Sequence, residues 1–148
     1  MSQKAKDLHW RFVMGHYPIH SSSKLEHGDT QSLVMDLDPL LRRYRVDAYF
    51  SGHDHILQVQ KRSGGLTYYG SGAGGKRHNE IHRWYKGLKG YSTGSFGFMT
   101  HELTQTTMKT TLVASHGPGL GSNKTYVFEY RQERERQQYL DDVVAIEQ

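Results

Sequence analysis

Between Asp29 and Tyr44 the apolar residues fall at Leu33, Val34, Leu37, Leu40, Leu41 and Tyr44. That three-and-four spacing predicts an amphipathic helix. Pro39 interrupts it, so the segment either kinks or restarts, with Asp38 as cap and Pro39 at the first position of a second turn. Arg42 and Arg43 close it, where positive charge suits the helix end. Two short apolar runs flank the helix, Arg11–Met14 and Asp47–Phe50, and read as strands. The first is apolar enough to be buried on both faces. Strand, helix and strand make a βαβ unit, whose parallel strands leave both carboxyl ends on one edge of the sheet.

Beyond residue 56 the pattern turns to hairpins. Leu57–Lys61 and Leu66–Tyr69 flank Arg62-Ser63-Gly64-Gly65, and Phe96–Leu103 and Met108–Ser115 flank Thr104-Gln105-Thr106. Tyr126–Tyr130 reads as a further strand. The glycine-rich turn at 70–75 matches neither the P-loop nor the dinucleotide fingerprint. Residues 76–94 read as a long basic and aromatic loop, either a rim over an anionic substrate or a solvated loop pinned by Trp84. From residue 131 the chain is rich in Gln, Glu and Arg, which predicts a helical or frayed tail. The expected class is α/β, a βαβ unit followed by antiparallel hairpins.

Composition narrows the chemistry. The 148 residues suit a single domain, and no apolar run approaches the ~20 residues of a membrane span. Residues 1–10 hold no apolar segment of the signal-peptide kind. The net charge is +4 and the pI about 9.3, but the basic residues are scattered, so nucleic acid is not the expected partner. There is no cysteine, so a bound metal would have to use His, Asp, Asn or Tyr.

The histidines supply such a site. Gly52-His53-Asp54-His55 follows the second strand, and in extended chain residues i and i+2 share a face. Alone, two histidines so spaced are more often surface residues. Gly15-His16-Tyr17-Pro18 repeats the arrangement after the first strand, at the sheet edge where α/β folds bind ligands. His16, His53 and His55 are therefore expected to converge.

Taken in order, Gly15-His16-Tyr17-Pro18, Glu26-His27-Gly28, Pro39-Leu40-Leu41, Gly52-His53-Asp54-His55 and Ser71-Gly72-Ala73-Gly74 resemble the carboxyl-terminal half of the purple (tartrate-resistant type) acid phosphatases. These belong to the calcineurin-like metallophosphoesterases. The resemblance implies that residues 9–130 are the carboxyl-terminal part of one such domain, an incomplete α-β-β-α sandwich, with 1–8 and 131–148 as polar flanks. It implies a dinuclear metal centre, iron paired with iron, zinc or manganese, and hydrolysis of phosphate monoesters by attack of a metal-bound hydroxide.

By the same resemblance His16 and His53 are ligands of the divalent ion and His55 of the ferric iron. His27 contacts the substrate phosphate and helps protonate the leaving alcohol. Asp54 is an orienting or turn residue. His20 stands where the family has an aromatic residue, and His9, His78, His82, His101 and His116 match no motif and read as solvated. The family's amino-terminal carboxylate, asparagine and tyrosine ligand segments do not occur in this sequence. Met1 then reads as an internal start, a truncated gene model or an artificial boundary, and the chain as half an enzyme, inactive alone, that needs its amino-terminal half or another chain. Two other readings stay open: a non-catalytic remnant serving as an interaction or metal-binding module, and a simple metal-binding or anion-binding β-rich domain. The family works in lysosomal or secreted settings, and Asn123-Lys124-Thr125 is a glycosylation sequon, but the sequence leaves the compartment open.

Overall fold

In a computed structural model that describes residues 10–23, 28–62, 64–76, 87–115 and 125–133, the βαβ unit forms first. Strand β1 (Phe12–Met14) lies parallel to β2 (Ala48–Ser51), with Phe12 opposite Ala48 and Met14 opposite Phe50. Two six-residue helices join them, α1 (Gln31–Asp36) and α2 (Asp38–Arg43). The break falls at Leu37 because Pro39 cannot donate to the preceding turn, so the chain restarts with Pro39 in the first turn of α2.

The first hairpin is β3 (Leu57–Lys61) against β4 (Thr67–Ser71), and β4 also lies parallel to β2. Within the segment expected to be a loop lies a strand, β5 (Leu88–Ser92), which pairs antiparallel with β3. Its apolar signal is only Leu88 and Tyr91, while Gly90 sits opposite Val59 beside a bulge. The sheet order is β1-β2-β4-β3-β5. The second sheet, β6-β7-β8, holds the hairpin β6 (Phe96–Leu103) and β7 (Thr107–Ser115) plus β8 (Thr125–Glu133). Strand β8 runs three residues into the segment read as a polar flank. Gln132 is buried there, accepting from the Tyr69 hydroxyl at 3.0 Å and donating to the Asp47 carbonyl at 2.9 Å. Residues 134–148 lie outside the described residues.

The five-stranded sheet is covered on both faces. Ala48, Leu57, Val59 and Tyr69 meet Met108, Leu112 and Ala114 of β7 in one core, while Tyr49 and Tyr68 meet Ile19, Leu41 and Leu66 in the other, on the helix side. Alternate residues of β2 and β4 serve opposite cores, as the strand period requires. Strand β1 departs from expectation. It is the sheet edge, and Phe12 and Met14 are 39% and 79% exposed rather than buried on both faces. Among the described residues no helix is long and apolar enough to cross a membrane.

Candidate metal centre

The site starts where β1 and β2 end. Gly15 N–H donates to the Phe50 carbonyl at 3.0 Å and Gly52 N–H to the His16 carbonyl at 3.1 Å, so the two strand ends are stitched together just past the ladder. Glycine is required at position 15, because a Cβ there would overlap the Tyr49 hydroxyl, itself bonded to the Tyr17 carbonyl at 2.9 Å. His53 follows with φ of 59°, at the centre of a turn in which Asp54 N–H donates to the Gly52 carbonyl at 2.7 Å. A three-residue turn of positive φ is rare, and a non-glycine residue in such a region costs about 1–3 kcal/mol.

This turn brings two imidazoles together. His16 Nε2 and His53 Nδ1 stand 3.2 Å apart, with ring centroids at 5.1 Å and Tyr17 packed against both rings. Two imidazole nitrogens on one tetrahedral ion at about 2.0–2.1 Å would lie about 3.3–3.4 Å apart. The 3.2 Å separation is near that value, and the contact itself is a hydrogen bond between the two rings. His55 lies in the same turn, half-buried. Among the described residues no group of three or more His, Cys, Asp or Glu is arranged to hold a metal. His27 lies outside the described residues, as do His9, His78, His82 and His116. On either side of residues 24–27 the described chain is tied together: Ser21 N–H donates to the Asp29 carboxylate at 2.9 Å and Thr30 N–H to the Ile19 carbonyl at 3.1 Å.

The comparisons with known proteins fall on this region. A family model described as calcineurin-like phosphoesterase matches residues 1–57, which include all four candidate histidines. Mouse (Mus musculus) tartrate-resistant acid phosphatase type 5 is 40% identical over 115 residues, 73% of this chain and 35% of that protein. Purple acid phosphatase 7 of Arabidopsis thaliana is 39% identical over 102 residues, 68% of this chain and 30% of that protein. Over these stretches the chain is similar in sequence to the purple acid phosphatases. It spans about a third of the length of these relatives. Among solved structures, the purple acid phosphatase PPD1 of yellow lupin (Lupinus luteus) superposes with a TM-score of 0.68 at 15% identity, over 88% of this chain and 26% of that one. GAP50, the anchor in the inner membrane complex of Plasmodium, gives 0.68 at 23%, over 93% and 42%. These two show the fold alone, the metallophosphoesterase sandwich.

Beneath the histidines lies a layer that the sequence reading did not foresee. The Asp54 carboxylate is buried and accepts from the Ser21 hydroxyl. Gln58 and Gln60 of β3, both buried, continue the chain of bonds through Ser22. The signal was present as Leu57-Gln58-Val59-Gln60, polar residues alternating within an apolar strand. His20 is buried against Tyr68, between the carboxylates of Asp29 at 3.4 Å and Asp38 at 3.8 Å. Burial works against ionisation of Asp29, but His20, the Ser21 N–H and Arg62 outweigh it and hold the carboxyl below its ordinary range. His101, read as solvated, instead lies half-buried between the sheets, against Phe50 and Tyr69, with Nδ1 2.9 Å from Thr110 Oγ1.

Proposed function

We propose that this chain is part of a dinuclear metal-dependent acid phosphatase acting on phosphate monoesters, and that His16 and His53 hold one of its two ions. The observation that carries this is the 3.2 Å approach of the two imidazole nitrogens at adjacent strand ends. His55 would serve the second ion, iron in the family's usual pairing with iron, zinc or manganese. Bound metal would polarise the phosphoryl group and lower the pKa of a bound water. The chain's own contributions are separate. His16 and His53 bind and orient, Tyr17 walls one side of the pair, and His27 would contact the phosphate and donate a proton to the departing alkoxide. A lysosomal or secreted setting follows from the same family-level reading.

Carboxylate ligands would come from residues beyond those described or from another chain. The exposed edge of β1, with Phe12 and Met14, suits an added strand from the same source. The absence of a three-residue metal group among the described residues favours, as a second reading, a metal-binding or interaction module without turnover.

Titration of the 148-residue chain with Zn²⁺ or Co²⁺ tests the first reading. One weakly held ion is expected, lost in His16→Ala and His53→Ala. Hydrolysis of a chromogenic phosphomonoester at pH 5–7 should be negligible until the amino-terminal part of a relative is supplied. In that complemented form His27→Ala should lower turnover more than metal content. No metal uptake, or uptake indifferent to both histidines, overturns the proposal. Turnover by the chain alone, abolished by His55→Ala, would show that its own residues complete the centre.

A further inference from the structure

We infer that Ser21 and Asp54 form a latch that positions His53 against His16; the inference rests on the metal-centre reading and adds to it. Ser21 lies on the loop that carries His16, and Asp54 follows His53 in the next strand's turn, so one hydrogen bond between their side chains ties the two loops. Both residues are almost fully buried, at 3% and 1% exposed.

The direction of that bond is fixed by its surroundings. A serine hydroxyl has one proton to give and two lone pairs. Both lone pairs of Ser21 Oγ are taken, by Gln58 Nε2 at 3.0 Å and by the Ser23 N–H at 3.1 Å. The Gln58 amide cannot reverse, because its Oε1 accepts from the Ser22 N–H at 2.9 Å and from Gln60 Nε2 at 2.8 Å. Gln60 is oriented in turn by Arg62, which donates to its Oε1 at 3.4 Å. The Ser21 proton is left with one destination, the Asp54 carboxylate.

A second observation points the same way. His53 sits at positive φ, a conformation that persists only where the surroundings over-determine it. Asp54 supplies the constraint from below through Ser21. Gly72 supplies it from the side, where a Cβ would run into the Asp54 carbonyl. Ser21 and Asp54 thus act through His53 as positioning residues, and metal affinity depends on such outer partners.

The test uses the 148-residue chain with Ser21→Ala, Asp54→Ala and the double variant, and Ser21→Thr as the form that keeps the hydroxyl. Two quantities are read: the NOE between the His16 and His53 rings in metal-free protein, and Co²⁺ affinity from visible absorption. Amide signals of β6 and β7 check the fold. Ser21→Ala and Asp54→Ala should each weaken Co²⁺ binding about tenfold and erase the inter-ring NOE. Ser21→Thr should retain both, and the double variant should bind no more weakly than the poorer single, as coupled partners do. An NOE unchanged in the single variants, or losses that multiply as independent sites, overturns the latch. If the wild-type chain takes up no Co²⁺, the metal reading falls and the NOE comparison alone decides the latch. If Ser21→Ala fails to fold, Asp54→Ala against Ser21→Thr makes the same comparison.

Discussion

The two faces of the five-stranded sheet are built from the same strands and do different work. One face, with Ala48, Leu57, Val59 and Tyr69, meets the second sheet in an apolar and aromatic core. The other carries Gln58 and Gln60 beside Tyr49 and Tyr68, and above them the ionisable groups of His20, Asp29, Asp38 and Arg42. Apolar contacts are non-directional and hold layers together. Hydrogen bonds to buried carboxylates are directional, and they fix where a loop sits. The difference suggests that stability resides chiefly between the sheets, while placement of the histidine loops resides on the helix side.

The sharpest break should come from the apolar side. Leu112 is fully buried at the centre of β7, and Leu112→Ala should cost about 3–5 kcal/mol, through lost burial plus a cavity. Denaturant midpoints measure it. If the two faces are as separate as they look, the surviving folded protein keeps the His16–His53 ring contact. Gly72→Ala should show the opposite balance. Its Cβ would meet backbone atoms of Asp54, which cannot swing aside, so about 2–3 kcal/mol is expected together with loss of Co²⁺ binding. Unaltered metal binding in Gly72→Ala would mean that the turn can shift without moving His53.

A smaller effect is expected at Asp38. Its carboxylate accepts from the Tyr68 hydroxyl and from Arg42 Nε at 2.9 Å, and burial with the neighbouring carboxylate pushes the Tyr68 phenol well above its ordinary value. Asp38→Ala should cost about 2 kcal/mol, less than a fully buried pair because Arg42 is partly solvated. The loop from Ile19 to Ser23 should loosen with it, seen as faster amide exchange at Ser21 and Ser22. Unchanged exchange there would confine Asp38 to bracing the helix.

Much of this was legible in the sequence. The βαβ unit, the helix break at Pro39 and both hairpins follow from periodicity, because each buries one face or one stripe. Strand β5 escaped notice because its pairing with β3 depends on backbone bonds and a glycine, not on an apolar run. Convergence of three histidines was expected and no such group of three forms among the described residues, but the approach of His16 and His53 was legible as two strand-end motifs. Its support was not, since Ser21, Gln58 and Asp29 are ordinary polar residues until the fold buries them together. His101 was misread for the same reason: a histidine in an alternating strand gives no sign of facing inward until the opposite sheet is in place.

That residue gives the smallest and most selective test of the apolar side. His101 projects between the sheets onto Phe50 and Tyr69, and burial lowers its imidazole below the ordinary 6.5. Above pH 6.5 it is neutral whether the chain is folded or not, and it contributes no pH dependence. As pH falls below 6.5 the unfolded chain takes up a proton that the native state refuses, so stability declines until the lowered native value is reached. His101→Gln removes the titration and keeps a partner for Thr110 Oγ1. The informative quantity is the difference between the two proteins. Denaturant midpoints at pH 7.5 and 5.5 should fall less for His101→Gln than for wild type. Equal falls would mean that water or a shift of β6 admits the proton, and that the core between the sheets is less dry than its aromatic lining implies.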